Sequence, residues 1–291
     1  MKLDTKEILK KVRSIEIKTK GLSNHIFAGE YNTAFKGRGM TFSEVREYEI
    51  GDDLRTIDWN VTARYNSPFV KVFEEEREIT LMLMVDVSSS SSFGTNKRFK
   101  RELVSEISAV LAFSAIKNND KVGVIFFSDK IEKFISPSKG KKHILRIIKE
   151  ILTFQSTSKK TNIKKALEYF NRVTKKRSIC FLLSDFFDSD FFEPVKLSAK
   201  RHDLVAVNTL DSRELEIPNV GLLSLQDSEE DNEILVDSSD RKFRRNFKNK
   251  QLSRLETLKK ELSLCGADYI QLLTQEDIIS PLINFFKNRK K

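Results

Sequence analysis

Near residue 79 the hydrophobic pattern of the chain becomes regular. "ITLMLMVDV" (79–87) is an almost unbroken apolar run, the signature of a strand buried on both faces. Phe99, Leu103, Ile107, Val110, Leu111 and Ser114 then recur at helical spacing and predict a helix over 96–117. "KVGVIFFS" (121–128) reads as a strand, and the alternating "KIEKFISP" (130–137) as an edge strand beside it. Helices are predicted over 141–154, through Ile144, Leu145, Ile148, Ile151 and Leu152, and over 162–174, through Ile163, Ala166, Leu167, Phe170 and Val173. "RSICFLLSD" (177–185) is a second continuous apolar strand, followed by a helix at 190–201 and the strand "DLVAVNTL" (203–210). Beyond it come a hairpin over 220–237 around an acidic turn at 227–233 and a helix over 239–264 with Leu252, Leu255 and Leu262 inward. The strand "ADYIQLL" (267–273) and a helix near 275–288 close the chain. Strands alternating with helices predict an α/β fold: a doubly wound, mostly parallel sheet flanked by helices.

The first part of the chain is different. Leu3, Ile8, Leu9, Val12 and Ile15 are spaced among lysines and predict an amphipathic helix over 4–17. Packing on the body of the protein is its simpler use, and lying on a membrane surface the other. Residues 24–80 mix glycines, aromatics and both charges with no persistent period, and short strands are expected near 42–48 and 68–80. The chain is therefore divided into an N-terminal irregular and β segment, 1–78, and an α/β domain with a C-terminal helical extension, 79–291.

Composition narrows the class. A chain of 291 residues with 39% hydrophobic content and 22 Phe can bury a core, and 5 Pro and 10 Gly leave little room for linkers. The N-terminus is charged throughout, and no apolar run approaches the roughly 20 residues of a membrane span. Cys180 and Cys265 have no metal or redox spacing, and Cys180 lies in the apolar "SICFLL" as a buried thiol. A cytoplasmic location is the expectation. The net charge of +10 is concentrated in clusters such as "KRFKR" (97–101), "KGKK" (139–142) and "RKFRRNFKNK" (241–250). Such charge attracts nucleic acid, anionic lipid or an acidic partner, although solvated helix faces are the plainer reading. No RNA-binding or helix-turn-helix signature accompanies it, so no specific nucleic acid is expected.

The run "DVSSSSS" has the composition of a linker, but its position argues otherwise. Ligands of open α/β sheets collect at the carboxyl ends of strands. "LMLMVD" ends on Asp86 and "CFLLSD" on Asp185, so both carboxylates should emerge at one edge, where they repel unless a cation joins them. Asp86, Ser88 and Ser90 form D-x-S-x-S. For these oxygens to share one ion the loop must curl, which the small Ser89, Ser91 and Gly94 allow. Thr161, where a helix begins, either caps that helix or faces the metal.

This set resembles the metal-ion-dependent adhesion site of von Willebrand factor A domains. The matching residues are Asp86, Ser88, Ser90, Thr161 and Asp185, in the expected order and element context. Upstream, Gly37, Gly39, Phe42, Arg46, Tyr48, "GDDLRTIDW" (51–59), Ala63 and Arg64 resemble the signature of the bacterial DUF58 family, which carries this segment before an A-type domain. The resemblance covers about 24–210 well and the C-terminal third loosely. It implies a Mg²⁺ site (or one for Mn²⁺ or Ca²⁺) at which an acidic residue of a protein partner binds. It further implies a MoxR-type AAA+ ATPase as that partner, in assembly, maturation or stress response, and a form without membrane helices. Phe186 and Phe187 follow Asp185 where many A domains have Gly, which leaves open whether Asp185 touches the metal directly. Lys159 and Lys160 beside Thr161 either weaken cation binding or attract an acidic partner.

The expected function is thus a non-enzymatic, metal-dependent interaction module. One alternative is an electrostatic adaptor for nucleic acid or anionic lipid that uses 241–250. The other is a Mg²⁺-dependent phosphoesterase. Against catalysis, His25, His143 and His202 are scattered, and neither a Walker sequence nor a dinucleotide fingerprint occurs. For 37–64 a structural role, with Arg46, Arg55 and Arg64 pairing among Asp52, Asp53 and Asp58, is favoured over partner contact. Trp59 is expected as a packing anchor.

Overall fold

The structure, a computed structural model, describes residues 41–65, 67–74, 79–95, 98–226 and 233–289. The helix expected over 4–17, Gly37, Gly39 and residues 227–232 of the acidic turn lie outside the described residues. The chain divides into two compact units, a smaller one over Phe35–Ile79 and a larger one that takes in Thr80–Lys291.

In the smaller unit, β1 (Thr41–Glu47), helix α1 (Trp59–Tyr65) and β2 (Phe69–Glu74) follow in order. β1 and β2 pair antiparallel, with a bulge between Phe42 and Glu44. The expected 68–80 strand is thus two, since β2 ends before the next strand begins at Thr80. The aspartates of "GDDLRTIDW" mostly hold turns. Asp53 accepts the Arg55 N–H (3.0 Å), and Asp58 accepts those of Asn60 and Val61 (3.0 and 3.2 Å). Arg46 grips Asp52 with two bonds of 2.7 and 2.8 Å, which holds the Asp52 carboxyl below its ordinary range. Arg55 lies 3.3 Å from Asp53, but the cation beside Asp58 is Lys71 at 3.5 Å, not an arginine. Trp59 is no packing anchor. α1 directs Thr62 to the strand, where its hydroxyl accepts the Phe69 N–H, and leaves the indole 71% exposed.

The larger unit begins with β3 (Thr80–Asp86), α2 (Lys100–Lys117), β4 (Lys121–Phe127) and β5 (Ile131–Ser138). Then come α3 (Lys141–Thr153), α4 (Ile163–Val173), β6 (Ile179–Ser184), α5 (Phe192–Arg201) and β7 (Asp203–Leu210). The single turn α6 (Ser212–Leu215), the hairpin β8 (Leu222–Gln226) and β9 (Glu233–Asp237), α7 (Arg241–Leu264), β10 (Asp268–Leu273) and α8 (Ile279–Asn288) complete it. Six strands form one sheet in the order β10-β7-β6-β3-β4-β5. All neighbours are parallel except β5, an antiparallel edge strand as its alternation predicts. This is the expected doubly wound α/β sheet.

The two strands that read as continuous apolar runs, β3 and β6, are adjacent at its centre. Met82, Met84, Cys180, Leu182, Leu204 and Ala206 pack in one cluster with residues of α4, α5 and α7. α2 contacts β3, β4 and β7 and is buried on nearly every side. Two sequence expectations fail at helix starts and stripes. Phe99 is 53% exposed just before α2, and Lys100 takes the inward position in line with Leu103, Ile107 and Leu111. In α7 the buried stripe is Leu255, Leu258 and Leu262, and its backward continuation runs through Gln251, leaving Leu252 exposed.

From β3 the chain winds to β4, and from β6 it winds the other way to β7. The carboxyl ends of β3 and β6 therefore flank the switch point, the crevice where such sheets hold ligands. Gly94 turns the chain from this crevice toward α2. A Cβ there would lie 2.6 Å from the Phe99 Cα and 2.7 Å from the Arg98 carbonyl oxygen. Gly94→Ala is accordingly expected to destabilise the protein by about 1–3 kcal/mol, read as a lowered urea midpoint. An unchanged midpoint would show that the loop tolerates the shift.

Candidate metal centre

Asp86 ends β3, and Ser184 ends β6 beside it. The Ser184 hydroxyl donates to Asp86 Oδ2 (2.7 Å), and the Ser88 N–H donates to Asp86 Oδ1 (3.0 Å). The serine run then curls as a 3₁₀ turn over Ser89–Ser92, closed by the Ser91 N–H on the Ser88 carbonyl (3.1 Å) and the Phe93 N–H on the Ser90 carbonyl (3.0 Å). The curl brings the Ser88 and Ser90 hydroxyl oxygens to 3.1 Å from each other. Oxygens bound to one Mg²⁺ at about 2.1 Å have a similar separation, roughly 3 Å. The Ser90 hydroxyl also favours the charged form of the Asp185 carboxylate, so Asp86, Ser88 and Ser90 form one bonded group with Asp185 beside it. Asp86, Ser88 and Asp185 are all buried.

Thr161 reaches the same rim by way of its neighbours. The Ser89 N–H and hydroxyl both donate to the Lys159 carbonyl (3.2 and 3.1 Å), and the Asn162 N–H donates to the Ser128 carbonyl (2.9 Å). Glu132 anchors the same loop by accepting from Ser128, Ser156 and Thr157. Asn162, not Thr161, caps α4, since its side chain accepts the Lys165 N–H (2.8 Å). The half-buried Thr161 hydroxyl is therefore not used as the cap.

Lys100, which the pattern reading missed, places a buried cation at the site. Its side chain is 2% exposed, and its ammonium donates to Asp185 Oδ2 (2.9 Å) and to Glu214 Oε1. Both placements oppose local preference, because a lysine in the first turn of a helix meets the positive end of the dipole and a buried charge is costly. Burial acts against the ammonium, but Asp185 and Glu214 outweigh it and hold its pKa above the ordinary value. Burial likewise pushes against an ionised Asp185. The Lys100 charge and bond, the Ser90 hydroxyl and the Phe187 N–H prevail and keep Asp185 below the usual carboxylate range. Asp86 has no such partner: burial, then the Asp185 charge, push its carboxyl up to about 7. The signal for Lys100 was a cation in register with the buried stripe of α2. Glu214, in a capping box with Asp211, carried no comparable signal.

The chain after Asp185 turns through Phe186 at φ 55°, the left-handed conformation that Gly adopts most readily. For a bulky residue this costs on the order of 1–3 kcal/mol. Burial of its ring in the core with Phe191 offsets the cost. The turn is thus held without a glycine, and Asp188 beyond it accepts the Ile163 N–H (2.7 Å), tying the segment to the start of α4.

The donor set fits a hard divalent ion. It offers a carboxylate with no cation of its own and two hydroxyls at ligand spacing on a loop already curled. Among the described residues no three His, Cys, Asp or Glu side chains gather to hold a metal.

Comparison with known proteins supplies the family. The model of "Protein of unknown function DUF58" matches residues 44–256, and the chain belongs to that family. An uncharacterized protein of Mycobacterium tuberculosis is 26% identical over 292 residues, covering 99% of this chain and 92% of its own. YeaD of Bacillus subtilis is 29% identical over 110 residues, which are 38% of this chain and 25% of YeaD. Among solved structures, an aerotolerance-related membrane protein from Bacteroides fragilis aligns over 73% of this chain and 98% of its own, at 16% identity and a TM-score of 0.50. The fold, with β5 reversed at one edge of the parallel sheet, is von Willebrand factor A-like. No helix among the described residues is long and apolar enough to cross a membrane.

The raised pKa of Asp86 makes a signed prediction. The folded state keeps a proton that the unfolded chain releases near the ordinary value of 3.8. The contribution of Asp86 to stability is therefore complete below about pH 4 and lost as pH rises through about 7. In chelator, Asp86→Asn should gain on the wild type between pH 4.5 and 7.5, at up to about 1.4 kcal/mol per pH unit. Urea midpoints across that range measure it, and parallel pH profiles would contradict it.

Proposed function

We propose that this DUF58 protein is a divalent-metal-dependent protein-interaction module, whose site at the ends of β3 and β6 captures a carboxylate of a partner protein. The observation that carries the reading is the connected group of Asp86, Ser88 and Ser90 on a pre-curled loop at the switch point of the sheet. Asp86, Ser88, Ser90 and Thr161 would hold the ion, Mg²⁺ foremost, with Mn²⁺ or Ca²⁺ as alternatives. When bound, the ion supplies a coordination position open to an oxygen from outside. Asp185, engaged by Lys100, supports the ion through the Ser90 hydroxyl rather than as a direct ligand.

The surroundings suit an acidic visitor. The segment after Asp185 and α7 border a cleft of about 680 Å³, lined in part by Phe187, Phe192, Lys250 and Arg254. The Arg254 guanidinium lies 3.5 Å from the Phe187 ring centroid and donates to the Phe186 carbonyl (3.2 Å). The partner we propose is a MoxR-type AAA+ ATPase, on the strength of family resemblance, and the role one in assembly, maturation or stress response.

We read the site as binding rather than catalytic. Neither described histidine is placed as a general base for it. His143 bonds the Val122 carbonyl near the amino end of β4, and His202 is buried at the amino end of β7, the opposite rim of the sheet. Electrostatic binding through 241–250 remains the competitor, since most of those basic residues are exposed on α7.

The test is retention of a MoxR-type ATPase on the immobilised protein, with Mg²⁺ and with chelator. Retention should require Mg²⁺ and be lost in Asp86→Ala. Retention that ignores both chelator and Asp86→Ala, but falls steeply with salt, would support the electrostatic reading instead.

A further inference from the structure

We infer that Lys100 is a tethered counter-cation that competes with the divalent ion for Asp185 and thereby sets the metal affinity of the site. The inference rests on the metal-binding reading above and adds a residue to it.

The geometry carries it. One ammonium, almost fully buried, sits 2.9 Å from Asp185 Oδ2 and also on Glu214 Oε1. The Ser90 hydroxyl favours the charged form of Asp185 and lies 3.1 Å from the Ser88 hydroxyl. Asp185 is thus bonded to the cation on one side and acts on the proposed ligands Asp86 and Ser90 on the other. With Lys100 in place, Asp185 brings no net negative charge to the ion, and Asp86 is the one uncompensated carboxylate among the proposed ligands. A divalent ion can recruit Asp185 only by displacing an ammonium that has nowhere solvated to go. The site therefore binds ions weakly and keeps them electrophilic, which favours an incoming carboxylate.

Glu214 decides how firmly Lys100 is held. It shares the ammonium from α6, where its other oxygen accepts the Asp211 N–H (2.8 Å). Asp211 ties this turn to the segment that follows the serine run, since it accepts from the Thr95 hydroxyl and N–H (2.6 and 3.2 Å) and the Thr274 hydroxyl (2.6 Å). Removing the Glu214 charge should leave Lys100 bound to Asp185 alone and more tightly.

Mn²⁺ titration followed by electron paramagnetic resonance tests this on the full chain. Lys100→Met should raise Mn²⁺ affinity at least tenfold, and Mn²⁺ should raise its melting temperature more than that of the wild type. Glu214→Gln should weaken Mn²⁺ binding several-fold. Lys100→Met combined with Asp185→Asn should show no gain, because the effect runs through Asp185 and not through loss of a positive charge in general. Should Lys100→Met unfold in chelator, refolding on addition of Mn²⁺ is the expected result, and failure to refold counts against the inference. Unchanged or weaker affinity in folded Lys100→Met, with Asp86→Ala still abolishing binding, would overturn the inference while sparing the metal site. Absence of Mn²⁺ binding in the wild type, Lys100→Met and Asp86→Ala alike would overturn both.

Discussion

Two carboxylates, Asp86 at the end of β3 and Asp185 just past the end of the adjacent β6, lie at the centre of the sheet and are both buried. An isolated buried charge is costly, and like charges placed side by side increase that cost. The organisation of this end of the molecule follows from how the cost is met. Asp185 is met by an ammonium from the first turn of α2, and that ammonium by a second carboxylate from α6. Asp86 is met only by hydroxyl and amide donors, and its pKa rises as a result. The pair is thus asymmetric: one carboxylate is neutralised from within, and the other retains a charge deficit that an external cation can fill.

The same asymmetry joins the fold to its proposed use. The sheet must reverse its winding between β3 and β6 for the two strand ends to face one crevice. The serine loop must curl for its hydroxyls to meet, and the loop near Thr161 is drawn to it by the Ser89 bonds to Lys159. The turn at Phe186 must keep a left-handed backbone so that Asp185 can accept the Phe187 N–H (3.3 Å), and core burial of the ring sustains that conformation without glycine. Breaking the Lys100 pairing by removing one partner is the kind of change that costs about 3–5 kcal/mol in a buried ion pair. Such a group is therefore held by stability as well as by any binding role.

Much of this was legible in the sequence, for physical reasons. β3 and β6 read as continuous apolar runs because both of their faces are covered, and β5 alternates because it lies at an edge. D-x-S-x-S after one such run and Asp185 just past the other lie together at the crevice between β3 and β6. The misses have reasons too. Lys100 was passed over because periodicity weights apolar residues, so the helix stripe was started one position early, at Phe99. Glu214 lies 114 residues from Lys100, and no local pattern announces a pairing at that separation. Leu252 and Trp59 were drawn inward by hydrophobicity alone, whereas the packing stripe of α7 and the orientation of α1 leave both in solvent. The role of Asp185 could not be read from its position at a strand end, because it depends on the cation beside it.

The most direct measurement is the anomalous difference map of crystals grown in MnCl₂. The account predicts a peak about 2.2 Å from oxygens of Asp86, Ser88 and Ser90, with Lys100 still on Asp185. A map with no peak at this crevice at saturating Mn²⁺, or a peak whose ligands exclude Asp86, would contradict it.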